Sequence, residues 1–575
     1  MEEISTSEAQ YKAHEQLSTT ASEERLLQEI HFRNLIKELK EGVQEEVNAV
    51  LDKKFSAWQS SVSCELPDSK SSSRCRCSHA GCCQQATKES SQGVSSDDWS
   101  PGFSRALHQL DSTNTLTKAL TRSHSKIGRG GGPGSRVFVA RPSLLTELLQ
   151  VSHICSLYNV FVAILFLLLG HELLDEIITT GSVNLELSMM MWCFGKMDSV
   201  ILIWLGMFVV NSVGVYAALH CWAHNRHRNT RVFDNVFGSL FLVYLILLLY
   251  LPSSYLLHYD LPPASSFIVL AEQVRFLMKS WAFVRSNIWR AMQLSGDELH
   301  KKTDGDALNQ PTTLHKCPDF SKHLYFLFAP TLVYRDEYPR SASINWGNVV
   351  SDLAQVVGCI FYTHFLLVRF CAPVFHKYGT NQTFSASQML MSVFSCCFPA
   401  SLVLLCAFFA VLHAWLNAFA EMMKFSDRMF YKDWWNSTSY SRFYRTWNCV
   451  VHDWLYEYVY MELHASKSAS RLQRYLPLLV VFLISSVVHE YMLALAFRFF
   501  YPVLLLMFGG FGVVFMFIKT RASQFNVCLW LSLILGTGIM MCLYSLEWYA
   551  RRNCAPLTDG FADYLVPRSW FCESL

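Results

Sequence analysis

Charge is what this chain has least of: 16% of its 575 residues are Asp, Glu, Lys or Arg, whereas 51% are hydrophobic and 14% aromatic. That scarcity excludes an ordinary soluble enzyme. The two signs nearly cancel, with 48 basic against 46 acidic residues, and no basic domain with interleaved aromatics occurs. Nucleic acid is therefore excluded as a partner. The glycine-rich run GRGGGPGSR at 128–136 lacks the Gly-Lys-Ser ending of a phosphate loop and follows no strand pattern, which excludes a nucleotide site there. Cys75, Cys77, His79, Cys82 and Cys83 are spaced too tightly for two separated zinc knuckles; they read as reduced thiols in a tail, open to lipidation, and no metal is expected. No cleavable signal peptide opens the chain. Its first 150 residues are polar, so the first apolar span is expected to direct insertion into the endoplasmic reticulum membrane.

Long apolar runs are abundant instead. A bilayer span needs about 20 mostly apolar residues, and candidates lie near 155–174, 198–223, 236–257, 263–285, 347–372, 387–420, 474–497, 498–518 and 525–548. This predicts an all-α polytopic membrane bundle of about nine helices. In the fourth, Glu272, Arg275 and Lys279 recur at helical spacing and predict a polar face turned into the bundle. Lysine and arginine collect in cytoplasmic loops, so Arg226, Arg228 and Arg231, and likewise Lys519 and Arg521, mark cytosolic turns. Threading the spans from these anchors puts the N-terminus, 286–346 and 421–473 in the cytosol and the C-terminus in the lumen. The sequon Asn381-Gln382-Thr383 then falls in a lumenal loop, and Cys554 and Cys572 lie on the oxidising side, where a disulfide persists.

Before the first span, residues 1–65 carry one amphipathic helical pattern between about Glu24 and Trp58, with Leu26, Ile30, Leu35, Leu39, Val43 and Val47 recurring between balanced charges. A helix partner suits that balance better than an anionic lipid surface. Residues 66–136 read as a flexible tether rich in Ser, Thr and Gly, and 137–575 as the membrane domain.

Two segments carry chemistry. The stretch RYLPLLVVFLISSVVHEYMLALAF at 474–497 places His489 and Glu490 near the middle of a span, where ionisable groups are costly and mark functional routes. The segment FYKDWWNSTSYSRFYRTWNCVVHDWLYEYVY at 430–460 mixes tryptophans with Lys432, Asp433, Arg442, Arg445 and Asp453. That composition suits neither a solvated loop nor a spanning helix, and predicts a segment at the membrane interface folded against the bundle.

FYKDWWN at 430–436, RTWN at 445–448, VVHDW at 450–454, SSVVHEY at 485–491 and YFLFAPTLVYRDEYPR at 325–340 resemble the sterol O-acyltransferases of the membrane-bound O-acyltransferase superfamily, from about Arg136 to the C-terminus. The resemblance implies that His489 is the catalytic base and Asn448 its partner. A neutral imidazole takes the hydroxyl proton near pH 7, an uncharged amide donates to the oxyanion, and transfer is direct, with no Ser or Cys nucleophile. Glu490 or a neighbouring polar group is expected to orient the ring. It further implies that Arg445, His452, Tyr460 and Ser485 line the acyl-CoA site with Asn448, that Arg474 meets its phosphates, and that Arg442 belongs there more loosely. Tyr431, Asp433, Trp434, Trp435 and Asn436 would shape that site. His153 matches a sterol-associated histidine. Long-chain acyl-CoA and cholesterol or a related sterol are the implied substrates, within membrane lipid, for a homodimer or homotetramer with no resident cofactor. CoA would enter a chamber from the cytosol and the lipid acceptor from the bilayer. The competing readings are a diacylglycerol acyltransferase of the same fold, a proton-coupled transporter or sterol-sensing receptor, and a scaffold acting through its N-terminal helix.

Overall fold

The computed structural model of the protein describes residues 136–150, 152–181, 187–301, 317–380, 385–465, 471–518, 522, 524–556, 560 and 562–572. The amphipathic pattern at 24–58, the tether, the cysteine cluster at 75–83, the sequon at Asn381, and Lys519 and Arg521 lie outside the described residues, as do the side chains of His153 and Arg474. Among the described residues the architecture is all-helical, strand geometry being limited to two isolated bridges, Arg141 with Asp427 and Arg340 with Phe425.

In chain order the principal elements are α1 (Ser152–Thr180), α2 (Met197–Val209, continued by a π turn over Val210–Val215 and by Tyr216–Asn225), α3 (Thr230–His258), α4 (Pro263–Lys301) and α5 (Phe320–Phe328). They are followed by α6 (Trp346–Phe375), α7 (Ala386–Met422), α8 (Tyr440–Trp447) and α9 (Cys449–Leu455, prolonged by a π turn over Tyr456–Tyr460 and by Met461–Ala465). Last come α10 (Arg471–Phe497), α11 (Leu505–Met516) and α12 (Phe525–Asn553). Among the described residues, seven helices are long and apolar enough to cross a bilayer: α1, α2, α3, α6, α7, α10 and α12. Two of the nine sequence candidates differ from that pattern, each for a physical reason.

The fourth candidate became α4, a helix of 39 residues with a polar face. Lys279 is 2% exposed, and its ammonium donates to the carbonyls of Phe326, Leu327 and Ala329 at 2.6, 2.9 and 2.8 Å. These carbonyls close the C-terminal end of α5, where backbone acceptors lack helical partners and the helix dipole favours a cation. One turn earlier Arg275 pairs with Glu272 at 2.6 Å and donates to Leu327 O at 2.6 Å. Gln273 repairs a neighbour in the same way. Pro252 inside α3 has no N–H to give to Leu248 O, and the Gln273 amide donates to that oxygen and to Leu249 O at 2.9 Å each.

The eighth candidate, read as 498–518, is shorter than expected. Helix α11 begins only at Leu505, after an irregular stretch that opens with Arg498 at φ 63°. At 1.5 Å per residue its helical part is about 18 Å long, so a core about 30 Å thick is crossed only together with the irregular stretch that precedes it.

The main core runs through the middle of the molecule and contains the 430–460 segment itself: Phe430, Tyr431, Trp434, Phe443, Trp454 and Tyr458 pack with Leu219, Phe237, Phe283 and Tyr334 from earlier elements. At the far end of α12 the chain turns back on itself. Cys554 and Cys572 are disulfide-bonded with Cα atoms 5.9 Å apart. Beside them the buried Glu547 carboxylate accepts from Arg551 Nε at 2.6 Å and from the backbone N–H groups of Arg568 and Ser569 at 3.0 Å each. Asp563 takes the Arg568 fork at 2.9 and 2.6 Å.

Candidate active site

The sequence FYKDWWN is stitched to the α8–α9 junction by two main-chain hydrogen bonds, Lys432 N–H to Thr446 O and Cys449 N–H to Phe430 O, both 2.8 Å. Trp434 is enclosed by the rings of Trp447, Phe408 and Trp530 at centroid separations of 4.6, 5.0 and 5.6 Å. Tyr431 is equally buried, its hydroxyl 2.8 Å from Ser143 Oγ and 2.7 Å from His413 Nδ1. These two side chains hold the segment in the core and reach a ligand only through the shape they impose. Trp435 is half-buried, and its carbonyl accepts from Asn526 and Trp530 at 2.8 and 3.1 Å. Asn436 is exposed, and Asp433 pairs with Arg442 at 2.6 Å on the surface.

Helix α8 starts where the Ser439 hydroxyl accepts from Arg442 N–H, and α9 starts at Asn448, whose Oδ1 accepts from Val451 N–H at 3.1 Å. Both are N-caps that satisfy a helix's first donors. At Asn448 the cap has a second effect: with Oδ1 occupied by its own helix, the half-buried amide keeps Nδ2, a donor, for another partner. Its neighbour Cys449 is 2% exposed, and burial, aided by the Asp453 carboxylate, pushes the thiol up to about 11. A thiol held protonated there is no nucleophile.

On α10, His489 shares a face with Phe482, Ser485 and Ser486, one and two turns away. Its Nδ1 lies 2.7 Å from Ser485 O. A carbonyl only accepts, so Nδ1 carries a proton, and Nε2 is the ring position that can accept one. The ring is exposed and lies 6.0 Å from that of Phe508. Phe508 in turn meets Tyr444 at 5.2 Å and Phe482 at 5.5 Å, so α8, α10 and α11 converge on one aromatic wedge beside the imidazole. Two glycines make the wedge fit: a Cβ at Gly509 would sit 2.8 Å from Ser486 Oγ, and one at Gly512 2.6 Å from Tyr444 Oη. Glu490 points elsewhere. Its carboxylate accepts from Leu505 N–H at 3.0 Å and from Tyr544 Oη at 3.1 Å, starting α11 and leaving the orientation of His489 to the main chain.

His452 and Tyr460 share α9. His452 Nδ1 lies 3.3 Å from Asp453 Oδ1, which can only accept from it, and the ring begins a stacked run, His452–Tyr456, Tyr456–Tyr460 and Tyr460–His464, at 6.2, 5.5 and 5.6 Å with interplanar angles of 11°, 14° and 14°. Steps of four drift around a helix of 3.6 residues per turn; the wider π turn over Tyr456–Tyr460 offsets that drift and keeps the rings on one face. Arg445 is exposed, its Nε donating to Ser441 O at 2.9 Å, and Ser485 is half-buried beside His489. Motif reading passed over Phe508, Tyr444, Gly509 and Gly512; the GGFG run inside an apolar helix was the available signal.

Among the described residues, no cluster of three or more His, Cys, Asp or Glu side chains forms a metal site. The model of the membrane-bound O-acyltransferase family matches residues 268–546. The chain is 42% identical over 473 residues to mouse sterol O-acyltransferase 1, covering 80% of this chain and 84% of that protein. It is 40% identical over 446 residues to mouse sterol O-acyltransferase 2, covering 77% and 82%. With human sterol O-acyltransferase 2 the identity is 40% over 443 residues, covering 76% and 81%.

Proposed function

Because this chain belongs to the sterol O-acyltransferases of the membrane-bound O-acyltransferase family, we propose that it is an acyl-CoA:sterol O-acyltransferase, a multi-pass membrane enzyme that moves a long-chain acyl group from CoA to the 3-hydroxyl of cholesterol or a related sterol. The observation that carries the mechanism is the imidazole of His489, accessible on α10 with Nδ1 tied to Ser485 O and Nε2 free. Nε2 accepts the sterol hydroxyl proton as the oxygen attacks the thioester carbonyl. The C–O bond forms, the carbonyl oxygen takes up negative charge, and Asn448 Nδ2 donates to it without adding a buried cation. The intermediate then collapses with cleavage of the C–S bond, and the imidazolium returns its proton to the departing thiolate, giving steryl ester and CoA. No residue is acylated and the reading calls for no resident cofactor; the protonated, buried Cys449 thiol fits direct transfer.

Acyl-CoA reaches this centre from the cytosol across the face that carries His452 and Tyr460, with Arg442, Arg445 and Arg474 serving its anionic end and Ser485 its acyl end. His153 on α1 is assigned to the sterol side. The enzyme sits in the endoplasmic reticulum membrane with its N-terminus cytosolic and its C-terminus lumenal, an orientation supported by the disulfide beyond α12. Residues 1–65 assemble it into a homodimer or homotetramer through a tether at 66–136.

Purified protein incubated with labelled oleoyl-CoA and either cholesterol or diacylglycerol tests the assignment. Labelled steryl ester is the expected product, formed about 10³-fold more slowly with His489→Ala. Triacylglycerol as the dominant product would overturn the substrate assignment.

A further inference from the structure

Helix α9 carries three carboxylates, and each is met by an arginine from a different part of the chain. Arg136, at the start of the membrane domain, pairs with Asp453 and also reaches Asp427 at 3.4 Å. Arg335, in the loop after α5, forms a two-pronged pair with Glu457, Nη1 to Oε1 at 2.9 Å and Nη2 to Oε2 at 3.0 Å. Arg285 on α4 meets Glu462 at 2.5 Å. The pairs succeed one another along the helix that carries the stacked His452, Tyr456, Tyr460 and His464.

Hydrogen bonds reinforce the central pair. Tyr458 Oη accepts from Tyr334 N–H at 3.2 Å and lies 2.9 Å from Ser286 Oγ, while Trp454 Nε1 donates to Met278 O at 2.8 Å. The first pair is also continuous with the donor face, since Asp453 Oδ1 lies 3.3 Å from His452 Nδ1. Side chains in the two inner pairs are 11–23% exposed, and those of Arg285 and Glu462 31% and 35%. Inward, the clamp is partly desolvated, where a fork fixes geometry as well as charge; toward its outer end it is wetter and weaker.

From this arrangement we infer that Arg136, Arg335 and Arg285 are positioning residues for the acyl donor. They fix the rotation and tilt of α9 from three sides, so that the stacked face is presented to acyl-CoA as a preformed surface, and none of them touches the reacting atoms. This rests on the acyltransferase reading and adds a prediction specific to one substrate: loosening the clamp weakens capture of acyl-CoA and leaves sterol saturation and the chemical step largely intact.

The test is steady-state kinetics of the purified full-length enzyme with oleoyl-CoA and cholesterol varied separately, for wild type, Arg335→Gln, Arg335→Lys, the exchange Arg335→Glu with Glu457→Arg, and the milder Arg285→Gln. Arg335→Gln should raise KM for oleoyl-CoA about 5- to 10-fold, with kcat and half-saturation by cholesterol within about 2-fold. Lysine, a point charge without the fork, should restore only part of the loss, and the exchange most of it. Arg285→Gln, at the wetter pair, should raise the same KM about 2-fold and serves if Arg335 variants fail to fold. An unchanged KM for oleoyl-CoA in folded Arg335→Gln and Arg285→Gln protein, or equal loss for both substrates, would overturn the inference. If wild type itself forms no acyl ester of sterol, the functional reading fails instead.

Discussion

Two regions of the molecule are built from arginine–carboxylate pairs, and they use them in opposite ways. At the end of α12 the network closes on itself: Glu547 is fully buried and spends its oxygens on Arg551 and two main-chain donors, Asp563 is taken by the Arg568 fork, and a disulfide locks the loop. Around α9 the pairs hold a helix whose stacked rings stay partly open, with His452 and Tyr460 half-buried and Tyr456 exposed. The first arrangement secures a chain end; the second aims a surface. The same chemistry is therefore assigned to stability in one place and, in the reading proposed above, to presenting a substrate surface in the other.

That contrast is broken or sharpened most strongly at His489. Replacing it with alanine should lower the esterification rate about 10³-fold, the range expected for loss of a general base, with thermal unfolding little changed because the ring is exposed. A residual rate near wild type would remove His489 from the mechanism. The mirror experiment is Cys554→Ser with Cys572→Ser. Opening a loop with a sequence separation of 18 residues should cost about 3 kcal/mol of stability, read as a lower unfolding temperature in detergent, while the rate of the protein that remains folded is retained.

Asn448→Ala should reduce kcat about 10²-fold, since one oxyanion donor is worth that much. Part of the change is a lost N-cap, about 1 kcal/mol in stability, and Asn448→Asp separates the two: it keeps the cap but supplies no amide donor, so it should remain as inactive as alanine. Recovery of activity with aspartate would assign Asn448 to capping alone. The smallest effect is expected at Cys449→Ala. Its thiol, pushed up to about 11, performs no chemistry, so kcat should stay within about 2-fold and stability fall by about 1 kcal/mol; a collapse of activity in folded protein would reinstate a covalent route.

The apolar runs made the spans legible, because the bilayer imposes a length that a sequence must meet. Around α11 they hid an irregular stretch, where Phe499, Tyr501 and Val503 pack as a small cluster and read as continuous helix in a hydropathy pattern. The candidates His489 and Asn448 and the 430–460 segment stood out through motifs. What those residues touch was not. Trp434 and Tyr431 stand in the most distinctive motif, yet their burial is decided by Phe408, Trp530 and Ser143, far away along the chain. The clamp on α9 was equally hidden, since Arg136 and Asp453 are 317 residues apart and no local pattern pairs them. Glu490, read beside His489 as a helper of the ring, turned to the opposite task because successive side chains on a helix point in different directions.

The oxygen that selects the tautomer of His489 belongs to the peptide backbone of residue 485, one helical turn below. The side chain there can therefore vary without disturbing which nitrogen is protonated. Steering the ring through a replaceable carboxylate would expose that choice to a single substitution, whereas here only unwinding the turn itself would erase it.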